Sequence, residues 1–200
     1  MAGWSQHEGL AVSLPVEGVD TDQLIPARFM SAPRSEGYGK FLLHDMRREG
    51  NELDPDFPLN RDGADGASVL VAARNFGGGS SREAAVYALY DAGFRVVIAP
   101  SFGDIFSGNA VNNGVLPALV SETDAERLHT ALAEPVTLHV DLDNCRIRAG
   151  DLDVPFIIDP VRRTKLINGW DDIDLTQSHA EDIAKFRDQV AAERPWIFLD

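Results

Sequence analysis

Ala67-Ser68-Val69-Leu70-Val71-Ala72-Ala73-Arg74-Asn75-Phe76-Gly77-Gly78-Gly79-Ser80-Ser81-Arg82-Glu83 decides the fold. Val69 to Val71 is a continuous apolar run, the pattern of a strand covered on both faces. Three glycines follow, which can take backbone angles closed to other residues and let a ligand approach the main chain. Ser80-Ser81-Arg82-Glu83 has the spacing of a capping box, predicting a helix from Ser80 to about Ala92, ended by Gly93. Arg95 to Ala99 then reads as the next strand. A helix start preceded by glycines favours anions through its free N–H groups and its dipole. Arg82 opposes that dipole, a conflict that predicts a second role, such as a bidentate grip on a carboxylate. The plain alternative is that Ser80 only caps and Arg82 is solvated.

The chain has 200 residues, enough for one domain with a sizeable core, and its hydrophobic (44%) and charged (25%) contents are those of a globular protein. A net charge of −14 without a basic stripe argues against nucleic acid. No apolar run reaches the ~20 residues a membrane span needs. Met1 to Leu10 lacks a basic and an apolar region, so no signal peptide is expected. The single cysteine, Cys145, excludes an internal disulfide and fits a cytoplasmic location. It also excludes a self-contained iron–sulfur cluster, which needs about three or four thiolates.

Outward from the glycine stretch, Leu10 to Leu14 is an expected strand. In Val19-Asp20-Thr21-Asp22, two aspartates bracket a threonine ahead of an apolar pair. The pattern fits an Asx turn that caps a helix, or an acceptor-only carboxylate beside a catalytic hydroxyl. Residues 27–60 form a long, weakly periodic stretch of the kind that covers ligands, with a short helix expected over Phe41 to Arg47. Arg28, Arg34 and Lys40 in this stretch could supply positive charge in an otherwise acidic chain. A short helix after Ser101, a loop marked by Asn109 to Gly114 and a strand over Val115–Val120 follow. Thr123-Asp124-Ala125-Glu126 has the spacing of a second capping box. Val136 to Leu142 and Cys145 to Arg148 read as a hairpin turned by Asp143-Asn144. Val154 to Ile158 reads as a strand. Ser178 opens an amphipathic helix carrying Ile183, Phe186 and Val190, within a helical tail at 176–195. The expected architecture is a single α/β domain of mixed, β-rich layers, with helices packed on one side of the sheet.

Several familiar sites fail on their own chemistry. Gly77 and Gly79 are followed by Arg82 where a dinucleotide fingerprint needs a third glycine, and no P-loop lysine is present. Neither G-x-S-x-G, H-E-x-x-H nor paired C-x-x-C occurs.

A resemblance then rests on five stretches together: Val19-Asp20-Thr21-Asp22-Gln23-Leu24-Ile25-Pro26, the loop Asn75 to Glu83, Arg95 to Phe106, Asn113-Gly114-Val115-Leu116-Pro117 and Asn168-Gly169-Trp170-Asp171-Asp172-Ile173. The chain resembles the small-subunit family of 3-isopropylmalate dehydratases, whose fold is the swivelling domain of the aconitase superfamily. The resemblance implies that 2- and 3-isopropylmalate are interconverted by dehydration and rehydration in leucine biosynthesis. It implies an iron–sulfur large subunit as partner, whose 4Fe–4S cluster acts on the leaving hydroxyl, and no cofactor on this chain. It assigns proton abstraction to Ser80 and an active-site carboxylate to Asp20. Ser81, Arg82, Arg34, Gly79 and Thr21 are the expected binders of a hydroxy-dicarboxylate. Gly78, Ala84 and the small segment Ser107-Gly108-Asn109-Ala110 depart from the family pattern. These departures leave open a paralogous hydro-lyase acting on a citramalate or dimethylmalate type of acid. A non-catalytic anion-binding module is the remaining alternative.

Overall fold

A computed structural model describes residues 2–198. In chain order its elements are β1 (Gln6–Leu14), α1 (Thr21–Leu24), β2 (Arg48–Glu49), β3 (Glu52–Leu53), β4 (Val69–Ala72), α2 (Glu83–Asp91), β5 (Val96–Ala99), α3 (Asp104–Asn112), β6 (Leu116–Leu119), α4 (Glu122–Ala131), β7 (Val136–Asp141), β8 (Arg146–Ala149), β9 (Leu152–Pro155), α5 (Pro160–Asn168), α6 (Asp172–Gln177) and α7 (Ala180–Glu193). One seven-stranded sheet runs in the order β6-β5-β4-β1-β7-β8-β9. β1, β4, β5 and β6 pair in parallel, and β7, β8 and β9 extend the sheet antiparallel. The expected mixed α/β architecture holds. No helix among the described residues is long and apolar enough to cross a membrane.

Every residue of β4 and β5 is buried, as continuous apolar runs require when both faces are covered. The register Val12↔Leu70↔Val97 shows how the faces divide. Val12, Leu70, Ala72, Val97 and Ala99 pack against Ala85, Ala88 and Leu89 of α2. Val69, Val71, Val96 and Ile98 pack against Ala125 and Leu128 of α4 and Leu166 of α5. Helices therefore lie on both faces of the parallel strands. This corrects the one-sided packing expected from sequence: strands with no polar face need cover on each side. Burying one leucine such as Leu70 contributes about 1.5–3 kcal/mol. Pro117 lies in β6, at the end of the strand order, where a missing N–H is tolerated.

Other boundaries move. β1 begins four residues before the expected strand, because its polar start pairs with β7 and leaves one face to solvent. The expected helix over Phe41 to Arg47 is absent. Leu43 adopts φ 52°, and its N–H bonds the Leu24 carbonyl at 3.0 Å, so the chain closes onto α1 instead of continuing a helix. Residues 27–60 instead hold four short 3-10 turns and the small β2–β3 hairpin. The helix after Ser101 runs on to Asn112, through the segment expected as a loop. The strand expected at Val154 to Ile158 is β9, shifted two to three residues earlier. α4 starts from Ser121, whose hydroxyl accepts from the Asp124 N–H at 3.1 Å, rather than from Thr123. The tail is α6 and α7, and α7 carries Ile183 and Phe186 exposed to solvent.

Candidate functional site

β4 ends at Ala72, and the chain then turns through the glycine loop before α2. Two glycines are forced. Gly77 has φ 71°, and a Cβ there would meet Phe106 Cγ at 2.2 Å. Gly79 has φ 93°, in the left-handed region. The base of the loop is apolar: Phe76 is fully buried and meets the Phe106 ring edge-on, with centroids 5.4 Å apart. Gly103, at the start of α3, fits beneath, since its Cβ would meet the Gly77 carbonyl at 2.5 Å. The loop is thus held between α3 and the segment that leads into α1.

That segment is tied to it by backbone bonds. The Gly18 N–H donates to the Arg74 carbonyl (2.9 Å), the Gly77 N–H to the Val19 carbonyl (2.7 Å) and the Thr21 N–H to the Gly78 carbonyl (2.9 Å). Asp20 and Gly78 form a parallel bridge. Asp20 caps α1 in a reciprocal capping box with Gln23: its carboxylate accepts the Gln23 N–H at 2.7 Å, and Gln23 Oε1 accepts the Asp20 N–H at 2.9 Å. The cap reading therefore holds for Asp20, and the cap also brings Asp20 against the loop. A Cβ at Gly79 would lie 3.6 Å from that of Asp20.

Thr21 is buried, and its hydroxyl donates to the Ser80 carbonyl at 3.0 Å. The same carbonyl accepts the Arg82 N–H at 2.7 Å. The next residue along, Asp22, pairs through its carboxylate with the Arg82 guanidinium. Asp20, Thr21 and Asp22 thus address the loop residues in step: Gly78 and Gly79, then Ser80, then Arg82.

Ser80 and Ser81 are both exposed, and among the described residues neither hydroxyl makes a hydrogen bond. The capping box expected at Ser80 does not form. α2 begins three residues later, with Arg82 at the N-cap position and no side-chain cap. The reason is local: the Ser80 carbonyl accepts from the Thr21 hydroxyl and from the Arg82 N–H, which turns the chain at Ser81 before α2 begins, and the Ser80 hydroxyl bonds no amide of the helix. Glu83 takes the favourable acidic place in the first turn and accepts the Asn113 side-chain N–H at 2.8 Å.

Arg34 is placed elsewhere. It forks onto the Asp91 carboxylate at 2.5 and 2.9 Å and lies 4.5 Å over the Tyr87 ring. Asp91 ends α2, about 12 Å from the helix start at 1.5 Å per residue. Of the expected site residues, the structure brings Asp20, Thr21, Gly79, Ser80, Ser81 and Arg82 together and leaves Arg34 at the other end of the helix. The other two cations singled out in the 27–60 stretch are also paired within the chain: Arg28 with Asp45, and Lys40 with Glu36 at 3.4 Å. The Arg28 guanidinium holds the Asp45 carboxyl well below the usual carboxylate range. Sequence reasoning read Asp22 only as part of the aspartate pattern around Thr21 and did not pair it with Arg82. Its link to Arg82 spans 60 residues and leaves no local signal.

Nothing around this loop suits an iron–sulfur cluster. The one thiol, Cys145, sits in the β7–β8 turn with its Sγ 3.6 Å from the Leu142 carbonyl. Among the described residues no three His, Cys, Asp or Glu side chains converge in a way that would hold a metal.

The molecule is thus a mixed α/β domain whose glycine loop, beyond β4, presents two open hydroxyls and an arginine. The chain matches the model of the aconitase C-terminal domain family over residues 1–123, and it belongs to that family. Its structure is similar to the crystal structure of 3-isopropylmalate dehydratase (leuD) from Methanocaldococcus jannaschii, with a TM-score of 0.67 and 24% identity over 90% of this chain and 98% of the other. At that identity the likeness shows a shared fold.

Proposed function

We propose that the chain is the small subunit of a 3-isopropylmalate dehydratase, active with an iron–sulfur large subunit in the cytoplasm. The observation that carries this reading is the pair of unbonded, exposed hydroxyls of Ser80 and Ser81 beside Arg82 and Asp20. Family membership and the shared fold with a dehydratase support it. In this reading Arg82 binds a substrate carboxylate and Ser81 donates to the substrate. Ser80 takes the proton from the carbon next to that carboxylate. A serine is a weak base, so the alkoxide it approaches needs nearby positive charge, which Arg82 and the start of α2 supply. Asp20 contributes a fixed carboxylate at the loop edge. The 4Fe–4S cluster belongs to the partner, and the half-site here is open because the large subunit closes it.

The test is reconstitution. The chain is mixed anaerobically with an iron–sulfur large subunit and assayed with 2-isopropylmalate and citramalate. Turnover of isopropylmalate by the pair, and none by either chain alone, is the expected result. A preference for citramalate would assign the chain to a paralogous hydro-lyase. Turnover by the lone chain, or full activity of the Ser80→Ala pair, overturns the proposal.

A further inference from the structure

Arg82 is not free to roam. Its Nη1 donates to Asp22 Oδ1, and among the described residues the guanidinium makes no other hydrogen bond. The Arg82 side chain is 22% exposed, whereas Asp22 is 52% exposed. Ion pairs as exposed as this one add little to stability, so stability does not account for the arrangement. Its geometry has a different consequence. A guanidinium has five donors in a planar fork, and a carboxylate held by one Nη leaves the Nε–Nη2 edge open. That edge has the shape that takes a second carboxylate bidentately. The backbone that carries Asp22 is anchored, because Asp20 and Thr21 before it are bonded to the loop. The arginine is therefore held by a rigid neighbour at one edge and presented at the other.

We infer that Asp22 is the positioning residue for Arg82: it orients the guanidinium so that its free edge receives a substrate carboxylate, and so sets affinity for the hydroxy-dicarboxylate. This inference rests on the dehydratase reading for the identity of the substrate, and on the lone chain for the orientation. The opposite role, a built-in competitor for Arg82, predicts the opposite change in KM when Asp22 is removed.

Two measurements test it. In the isolated chain, nitrogen NMR of the Arg82 side chain is compared in wild type, Asp22→Ala and Asp22→Asn. Separate, slowly exchanging Nη–H signals are expected in wild type. They collapse to an averaged signal in Asp22→Ala and survive in part in Asp22→Asn, whose amide oxygen still accepts. In the complex with the iron–sulfur subunit, Asp22→Ala raises KM for 2-isopropylmalate about tenfold, a loss of orientation at one contact, while kcat changes little. Asp22→Asn restores most of the affinity. A lowered KM in Asp22→Ala would make Asp22 a competitor and overturn the inference. So would an unchanged KM, or Arg82 signals that ignore the substitution. If the wild-type complex turns over no hydroxy-dicarboxylate, the dehydratase reading fails along with the substrate half of the inference. Unaltered NMR signals with an active wild type sink the inference alone.

Discussion

The hydroxyl of Thr21 donates to the carbonyl of Ser80 across 3.0 Å, joining residues 59 positions apart. This bond fixes the backbone of the serine while leaving its side chain unengaged. Ser80 is thus held at its main chain and open at its hydroxyl, which suits a group that must receive a proton from outside the chain.

Ser80→Ala should lower kcat of the reconstituted pair by about 10²–10⁴-fold, the usual contribution of a positioned proton acceptor. KM should move little. The hydroxyl is exposed and unbonded, so the melting temperature of the lone chain should stay within about 1 °C, consistent with a surface change below ~0.5 kcal/mol. Steady-state kinetics and calorimetry on the same preparation separate the two effects.

Thr21→Val keeps the shape of the side chain and removes the donor. The site is buried, so the Ser80 carbonyl loses a bond that water cannot easily replace. A cost of about 1–2 kcal/mol in denaturant unfolding is expected. Activity of the pair should fall as well, because the bond holds the Ser80 backbone in place. Full activity with full stability would show that the bond does not hold the loop.

The glycines should differ among themselves. Gly77→Ala places a methyl 2.2 Å from Phe106 Cγ at a positive φ, and both effects destabilise. A loss of about 2–4 kcal/mol, read as a melting temperature lower by roughly 5–15 °C, is expected for a chain of this size. Gly78→Ala meets nothing nearer than Asn75 Oδ1 at 3.3 Å, and its φ is not positive, so it should cost little. Equal effects at the two positions would contradict the packing described.

Acid should destabilise the fold through two histidines. Burial, and then Arg95, lower the pKa of His7; burial lowers that of His129. Both rings are therefore neutral in the folded chain at pH values where the unfolded chain is protonated. The unfolded state binds more protons in that window, so stability rises with pH through it. It is complete above the ordinary histidine value near 6.5 and is lost as the pH falls toward the lowered folded values. His129→Gln should flatten the slope of urea-unfolding stability between pH 7 and 5. A slope unchanged in both the His7 and the His129 variants would count against this account.

The central strands were legible because Val69 to Val71 and Val96 to Ala99 carry no polar residue at all, and only a doubly covered strand tolerates that. Caps were harder to read. The S-x-x-E or T-x-x-E spacing stands ahead of helices at Ser80, Thr123 and Ser178, and none of the three caps its helix. Ser80 is held at its carbonyl, Ser121 takes over from Thr123, and the Ser178 hydroxyl turns back to the Leu175 carbonyl at 2.6 Å. Aspartate proved the better signal: Asp20, Asp159 and Asp171 each cap a helix with a short, charged acceptor. The loop serines and the Asp20 segment were legible as a motif. The partners of Arg82 and Arg34 were not, because Asp22 and Asp91 lie 60 and 57 residues away.

The ladder between residues 18–21 and 74–78 gives the chain an order of assembly. The two strips bond to each other, so the corner takes its shape only once the later strand, β4, has docked beside β1. A partner that recognised this corner would therefore read the docking of β4 against β1, not either strip alone.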